Sequence, residues 1–293
     1  MNDPLGAHGG PFPMDEEQFR LIRDSIYEYC GILFGDDLRP IVRRRLEPRL
    51  RVRGLPDFHA YHRYLRYGPE ARAELEEVVE LLTTNETYFF REEYQLRAFA
   101  DEIVPALVKH LGRRRRLRIW SAGCASGEEC YTIAILTREH PLLQDWDVHI
   151  FGCDISRRVL ATARRGVYRQ GSFRSTPPRY KHEYFARRDD GTYEVRADLR
   201  ERVTFGHMNL LDDARVGIVG EVEVVFCRNV MIYFDVSARR RLVHTFHEKL
   251  APGGYLLLGH AESLLSLSTA FELCHLRNDL VYRRPLFTDG LKP

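Results

Sequence analysis

The hydrophobic period of this chain changes near residue 84, and that change constrains the fold more than any other feature. Before it, apolar residues recur at helical spacing. Phe19, Ile22, Ile26 and Tyr29 make one such stretch, and Leu38, Ile41, Val42, Leu46 and Leu50 a second. A third runs around Phe58, Tyr61 and Leu65, and a fourth around Leu75, Val78, Val79 and Leu82. Steps of three and four put these residues on one face of a helix with about 3.6 residues per turn. Asp15 with Gln18 forms a capping-box pattern at the first helix start. The four stretches predict an all-α N-terminal domain over 14–83, after a disordered lead-in over 1–13 that is rich in Gly and Pro.

Beyond the change, short apolar runs alternate with helical stretches. Leu117–Trp120, Val148–Cys153, Glu223–Cys227 and Gly254–Leu258 read as buried strands, with helices from about Glu128 and over Ala238–Leu250. A Pro252-Gly253-Gly254 turn precedes the last strand. This alternation predicts an α/β domain over 96–293, its mostly parallel sheet covered on both faces. From about 166 to 208 the rhythm breaks. Thr192–Arg196 and Arg202–Phe205 read as short strands around an Asp-Asp-Gly turn, a small antiparallel insertion.

Composition excludes several classes of function. With 44% apolar and 29% charged residues, the chain is neither disordered nor collagen-like. No apolar run reaches the roughly 18 residues of a membrane span, and the N-terminus lacks a secretory signal pattern. A net charge of +2 gives no general attraction for nucleic acid. The six cysteines contain no C-x-x-C pair, and no Cys/His set has metal-ligand spacing. Free thiols in the cytoplasm, with no metal, are expected.

Chemistry concentrates at the strand ends, where ligands bind in doubly wound sheets. The first strand runs into Gly123-x-x-x-Gly127 followed by Glu128 and Glu129. Glycines admit close backbone approach, but the spacing is not that of a pyrophosphate loop, and two acids would repel phosphate. Asp154 ends the second strand, where an acid accepts hydrogen bonds from ribose hydroxyls or caps the next helix. A ribose, no phosphate and a positive charge together describe S-adenosylmethionine.

Four segments then resemble, in order, the CheR family of chemotaxis protein methyltransferases. They are Thr83-Thr84-Asn85-Glu86-Thr87-Tyr88-Phe89-Phe90-Arg91-Glu92, Trp120 to Glu129, Phe226 to Phe234, and Gly259-His260-Ala261-Glu262-Ser263. The resemblance runs from about Met14 to Arg284 and implies a Rossmann-like S-adenosylmethionine-dependent methyltransferase domain, with a linker over 84–95 contributing to the cofactor site. Its implied cofactor residues are Asn85, Thr87, Arg91, Glu128, Asp154, Asn209, Leu210, Arg228 and Asn229, with Arg91 and Tyr233 near the transferred methyl. S-adenosylhomocysteine is the implied product, and glutamate carboxylates on the cytoplasmic domain of methyl-accepting chemoreceptors are the implied acceptors.

The basic stretch Arg39, Arg43, Arg44, Arg45, Arg49, Arg51 and Arg53 is opposed locally only by Glu47. It reads as a surface docking an acidic partner through Arg43, Arg44, Arg45, Arg49, Arg51 and Arg53, as the resemblance also implies. A solvated face is the plain alternative. Pro48 is expected to kink or end that helix. In some relatives the insertion holds a receptor's C-terminal peptide. Here Arg187-Arg188-Asp189-Asp190-Gly191-Thr192 is a tight turn, so no peptide tether is expected; a monomer, no nucleic acid and no membrane insertion are separate expectations. Two rivals stand beside this reading: a non-catalytic cofactor-binding adaptor, and a methyltransferase for RNA or a small molecule. Cys124 and Cys130 leave room for a reactive thiol near the loop.

Overall fold

A computed structural model describes residues 12–286, so the expected lead-in lies outside the described residues up to Pro11. Phe12 is already buried, with the Arg51 guanidinium 5.1 Å from its ring centre. The chain divides into two compact units, the first ending at Thr83 and the second beginning at Thr84.

The first unit contains α1 (Glu16–Cys30), α2 (Arg39–Arg53), α3 (Phe58–Tyr67) and α4 (Ala71–Leu82). Asp15 and Gln18 form the expected reciprocal cap on α1, and Asp57 caps α3 through the Ala60 N–H. Gly31 and Gly54 take left-handed backbone that stops α1 and α2. The apolar faces meet in a core that includes Phe19, Ile22, Ile26, Leu46, Leu50, Phe58, Tyr61, Leu65, Val78 and Val79. Each such side chain contributes about 1.5–3 kcal/mol by leaving water.

Of the kink or end expected at Pro48, the end is corrected. The helix runs through Pro48 without ending. The lost backbone bond is outweighed by packing of Leu50 beyond the proline and by the pairing of Arg49 and Arg53. The arginines are also not opposed by Glu47 alone. Arg49 binds the fully buried Glu74 carboxylate bidentately at 2.8 and 2.6 Å, Arg53 adds Nε at 2.8 Å, and the Tyr61 hydroxyl donates at 2.7 Å. Arg53 also reaches Glu70, and Arg45 donates to the carbonyls of Leu81 and Leu82 at the end of α4. These three arginines tie α2 to α4 and are not free for a partner.

Burial alone would raise the Glu74 carboxyl, but its three donors hold it below the usual value. A depressed native pKa gives stability that is present above the unfolded value of about 4.5 and is lost as pH falls through the native one. Glu74→Gln is therefore expected to destabilise the first unit by about 2 kcal/mol at neutral pH. It should also flatten the loss of stability on acidification, as read by denaturant titrations at pH 7 and pH 4.

The second unit begins with the linker and continues through α5 (Glu93–Ala98), a π-helical turn and α6 (Val104–Leu111). Its strands are β1 (Arg116–Ala122), β2 (Asp147–Asp154), β3 (Val167–Tyr168), β4 (Phe185–Arg187), β5 (Tyr193–Val195), β6 (Val203–His207), β7 (Val222–Cys227), β8 (Leu250–Leu258), β9 (Glu272–His275) and β10 (Leu280–Arg283). Between them lie α7 (Glu128–Glu139), α8 (Arg157–Arg165), the short α9 (Pro178–Tyr184), α10 (Ala197–Arg200) and α11 (Asp213–Val216), then α12 (Val236–Lys249).

Seven strands form one sheet in the order β6-β2-β1-β7-β8-β10-β9, the first five parallel and β10 antiparallel to both of its neighbours, β8 and β9. Every residue of β7 is buried, as a central strand covered on both faces requires. The chain fills the sheet outward from β1 in one direction and resumes at β7 in the other. The strand order thus reverses at the β1–β7 boundary, the position at whose carboxyl ends ligands bind in such sheets. The small sheet β3-β5-β4 is antiparallel, as expected, but the Arg202–Phe205 reading is corrected. That segment is β6, pairing parallel with β2 in the main sheet, and β4 is the partner across the Asp-Asp-Gly turn. Pro252–Gly254 does not precede β8 but lies inside it, where the register to β7 shifts.

Candidate active site

The loop between β1 and α7 needs its glycines. Gly123 and Gly127 have φ of 87° and 90°. A Cβ on Gly123 would lie 2.4 Å from Val230 Cγ2, and one on Gly127 2.8 Å from Ala163 Cβ. The loop is pinned to the end of β2. Gly123 and Cys124 N–H groups donate to the Cys153 carbonyl, and Ala125 N–H donates to Asp154 Oδ2 at 2.8 Å. Asp154 Oδ1 accepts from Ser156 N–H at 2.9 Å. The capping alternative for Asp154 is corrected: Ser156 caps α8, its Oγ accepting from Val159 N–H, and Asp154 closes the turn ahead of that cap and fixes the glycine loop. It is buried at the strand end where a ribose acid sits.

Glu128, the first residue of α7, is buried, and its oxygens accept from Ser126 Oγ at 2.7 Å and Ser172 Oγ at 3.1 Å. Burial pushes its carboxyl above the usual value despite these bonds. Cys124 and Cys153 are both buried, as is Cys130. Burial raises the thiols of Cys124 and Cys153, the latter to about 12, and all six cysteines are free.

The linker is stitched to this edge. Phe89 N–H donates to the Ser172 carbonyl at 2.9 Å, and Phe90 N–H to Thr132 Oγ1 at 3.2 Å. The Phe89 ring packs among Tyr168, Phe173 and Phe185 of the insertion, and Phe90 stacks on Tyr180. Phe90 and Glu92 take positive φ, so the chain turns sharply on either side of Arg91. Arg91 Nη1 donates to the Glu86 carbonyl at 2.7 Å, leaving a quarter of the side chain exposed. Asn85 and Thr87 are half-buried on the same segment.

Arg228 lies below this surface as a cross-link. Its Nη2 donates to the Arg91 carbonyl at 2.6 Å and to Glu92 Oε2 at 3.0 Å, and its Nη1 to Glu129 Oε2 at 3.1 Å. Glu129 also accepts from Ser121 Oγ, so one buried guanidinium ties the linker to the loop helix. Burial alone would raise the Glu92 carboxyl, but Arg228 beside it, with His260 and Arg91, holds it below the usual range. The Arg228 Nε is buried and has no hydrogen-bond partner among the described residues.

Asn229 follows with φ of 60°. Glu262 holds this turn by accepting from the N–H groups of Asn229, Val230, Ile232 and Gly259. The Asn229 Oδ1 atom is buried and has no hydrogen-bond partner among the described residues. Tyr233 follows, 39% exposed, its hydroxyl 3.5 Å from the Thr84 carbonyl. Burial raises its phenol, and the charge of Arg91 works against that. On the other side of β1, Met208 N–H donates to the Asp154 carbonyl. Asn209 Oδ1 accepts from Leu211 N–H in a local turn, and Leu210 is buried beside it.

The expected residues therefore fall at the ends of β1, β2, β6 and β7 and on the linker. Sequence reasoning assigned no role to Glu92 or Glu262, although each stood inside a quoted motif, and it read Glu129 only as an acid that disfavours phosphate, not as a partner of Arg228. Among the described residues no metal-binding cluster is found.

S-adenosylmethionine fits these groups. Asn229 Oδ1 is an orphaned acceptor at the switch point, Asp154 is an acid for ribose hydroxyls, and Glu128 is a buried carboxylate for an ammonium. The glycine loop adds close approach without a cation for phosphate.

Comparison with known proteins agrees. The family model described as CheR methyltransferase, SAM binding domain, matches residues 85–280, and the CheR all-alpha domain matches residues 17–83. Chemotaxis protein methyltransferase 2 of Vibrio cholerae is 38% identical over 271 residues, covering 92% of this chain and 93% of that one. The chemotaxis protein methyltransferases of Borreliella burgdorferi and Escherichia coli are both 34% identical, over 85% and 92% of this chain and 88% and 91% of theirs. This chain, matched in both of its units by the family's models, belongs to the CheR family of S-adenosylmethionine-dependent methyltransferases.

Proposed function

We propose that the protein methylates glutamate side chains on chemoreceptors, forming methyl esters. The observation that carries this reading is Arg91, a partly exposed guanidinium anchored by the Glu86 carbonyl on the segment that Tyr233 also reaches. A fixed cation at the mouth of the site suits a carboxylate acceptor better than an amine.

S-adenosylmethionine supplies a methyl group on a sulfonium, whose carbon–sulfur bond breaks as the carboxylate oxygen bonds to that carbon. A glutamate with a pKa of about 4.3 is already ionised at neutral pH, so no general base is needed. Arg91 orients the carboxylate for in-line attack, where positioning removes much of the entropic barrier. Tyr233 shapes the entrance or donates a hydrogen bond. Asp154 holds the ribose, Asn209 and Leu210 the adenine, Asn85, Thr87 and Asn229 the remaining edge, and Glu128 the ammonium.

The receptor is engaged by charge on α2 and without a peptide tether. Arg45, Arg49 and Arg53 are engaged inside the first unit and Arg43 and Arg51 share Glu47, so that charge rests first on the exposed Arg44, with the exposed Arg51 beside it. The β4–β5 turn is closed by Arg188 N–H to the Thr192 carbonyl, with no added loop to grip a peptide. The reading is tested by incubating the protein with membranes holding its own organism's receptors and mapping methyl groups by mass spectrometry. Methylated glutamates that vanish with S-adenosylhomocysteine are expected. Methyl groups on another residue type would contradict the proposal.

Glu128 adds a pH dependence. An ammonium ligand favours the ionised carboxylate, whose pKa is raised in the free protein. Cofactor affinity is therefore expected to fall on acidification at a pH above the usual carboxylate range. Glu128→Gln should bind more weakly at pH 7.5 and lose that dependence, as calorimetry from pH 5 to 8 would show.

A further inference from the structure

We propose that Arg174, at the end of the short turn Gln170–Phe173 in the insertion, is a second cation that binds the acceptor segment, beside Arg91. The inference rests on the carboxylate-acceptor reading and extends it to a residue outside the four motifs.

Three observations converge on Arg174. Its guanidinium lies 3.6 Å from the centre of the Tyr88 ring, and the Arg91 guanidinium lies 5.8 Å from the same ring. Both arginines are held by one residue. Arg91 donates to the Glu86 carbonyl at 2.7 Å, and Arg174 Nη2 to Glu86 Oε1 at 2.8 Å. The turn carrying Arg174 is also fixed to the site, through the Ser172 carbonyl to Phe89 N–H, Ser172 Oγ to Glu128 at 3.1 Å, and Phe173 stacked on Phe89. Its charge is felt by Glu128.

Stacking on Tyr88 fixes the plane of the guanidinium while 46% of the side chain stays open to solvent. Its present partner is a poor competitor. Glu86 is 69% exposed, and exposed ion pairs contribute little. An arriving carboxylate can therefore replace Glu86 on Arg174. Arg174 would take either the reacting glutamate or an acidic neighbour on the same segment, while Arg91 aligns the attacking oxygen.

Steady-state methyl transfer to receptor-containing membranes tests this directly. Arg174→Ala is expected to raise the apparent KM for receptor about tenfold, the effect of one charge-assisted contact, with kcat and cofactor affinity within about twofold of wild type. Arg174→Lys should recover part of the loss, since a lysine keeps the charge but not the planar stack. Glu86→Gln removes the internal competitor and should lower KM about twofold. An unchanged KM in Arg174→Ala would overturn the assignment, as would a loss confined to cofactor affinity, which would mean that Arg174 acts through Glu128. If wild type methylates receptor and Arg174→Ala behaves like it, this inference alone falls. If wild type transfers no methyl to receptor, the carboxylate reading falls with it.

Discussion

Asp154→Ala is expected to weaken S-adenosylmethionine binding by at least about 100-fold. Two losses combine. The ribose hydroxyls lose an ionised acceptor, and hydrogen bonds to charged groups contribute about 1.5–3 kcal/mol. The buried N–H groups of Ala125 and Ser156, which donate to the two carboxylate oxygens, also lose their partner. Each unsatisfied donor costs about 1–3 kcal/mol, so the glycine loop should loosen and the second unit lose stability. Asp154→Asn separates the two. It keeps one acceptor for the loop and should recover most of the stability but little of the affinity. Calorimetric binding beside a thermal melt reads both. Affinity within threefold of wild type in Asp154→Ala would remove Asp154 from the cofactor site.

Arg91→Ala is expected to lower kcat about 100- to 1000-fold, a loss typical of one preorganised donor at a reacting group. The linker should keep its place, because Phe89, Phe90 and Glu92 anchor it independently of the Arg91 side chain. Cofactor affinity should therefore change far less than turnover. Arg91→Lys should recover only part of the rate, since an ammonium is a point charge and cannot present a planar fork to a carboxylate. Single-turnover kinetics at saturating cofactor separate the steps. Wild-type turnover in Arg91→Ala with cofactor bound would show that the arginine only lines the site.

Much of this was legible in the sequence. The four N-terminal helices announced themselves by period, the first also by its cap, and β1, β2 and β7 by apolar runs. What escaped reading depends on partners distant in the chain. Nothing local tells that β6 pairs parallel with β2, 53 residues earlier, or that Glu74 waits for Arg49 and Arg53. The strands β9 and β10 are only four residues each and half-exposed, so neither alternation nor an apolar run marks them. At the site, Arg228 was readable as a motif residue, but its use as a cross-link required Glu92 and Glu129 in space. Arg174 lay outside every motif, and only its stacking on Tyr88 brings it into view.

The central claim is carboxyl methylation of a receptor. It is met most directly by supplying methyl-labelled S-adenosylmethionine to the purified protein with receptor membranes, then treating the washed product with mild base. Esters release labelled methanol under such treatment, whereas methylated amines do not. The account predicts labelled methanol that requires receptor and disappears with S-adenosylhomocysteine. Incorporated label that resists base, or no label despite cofactor binding, would contradict it.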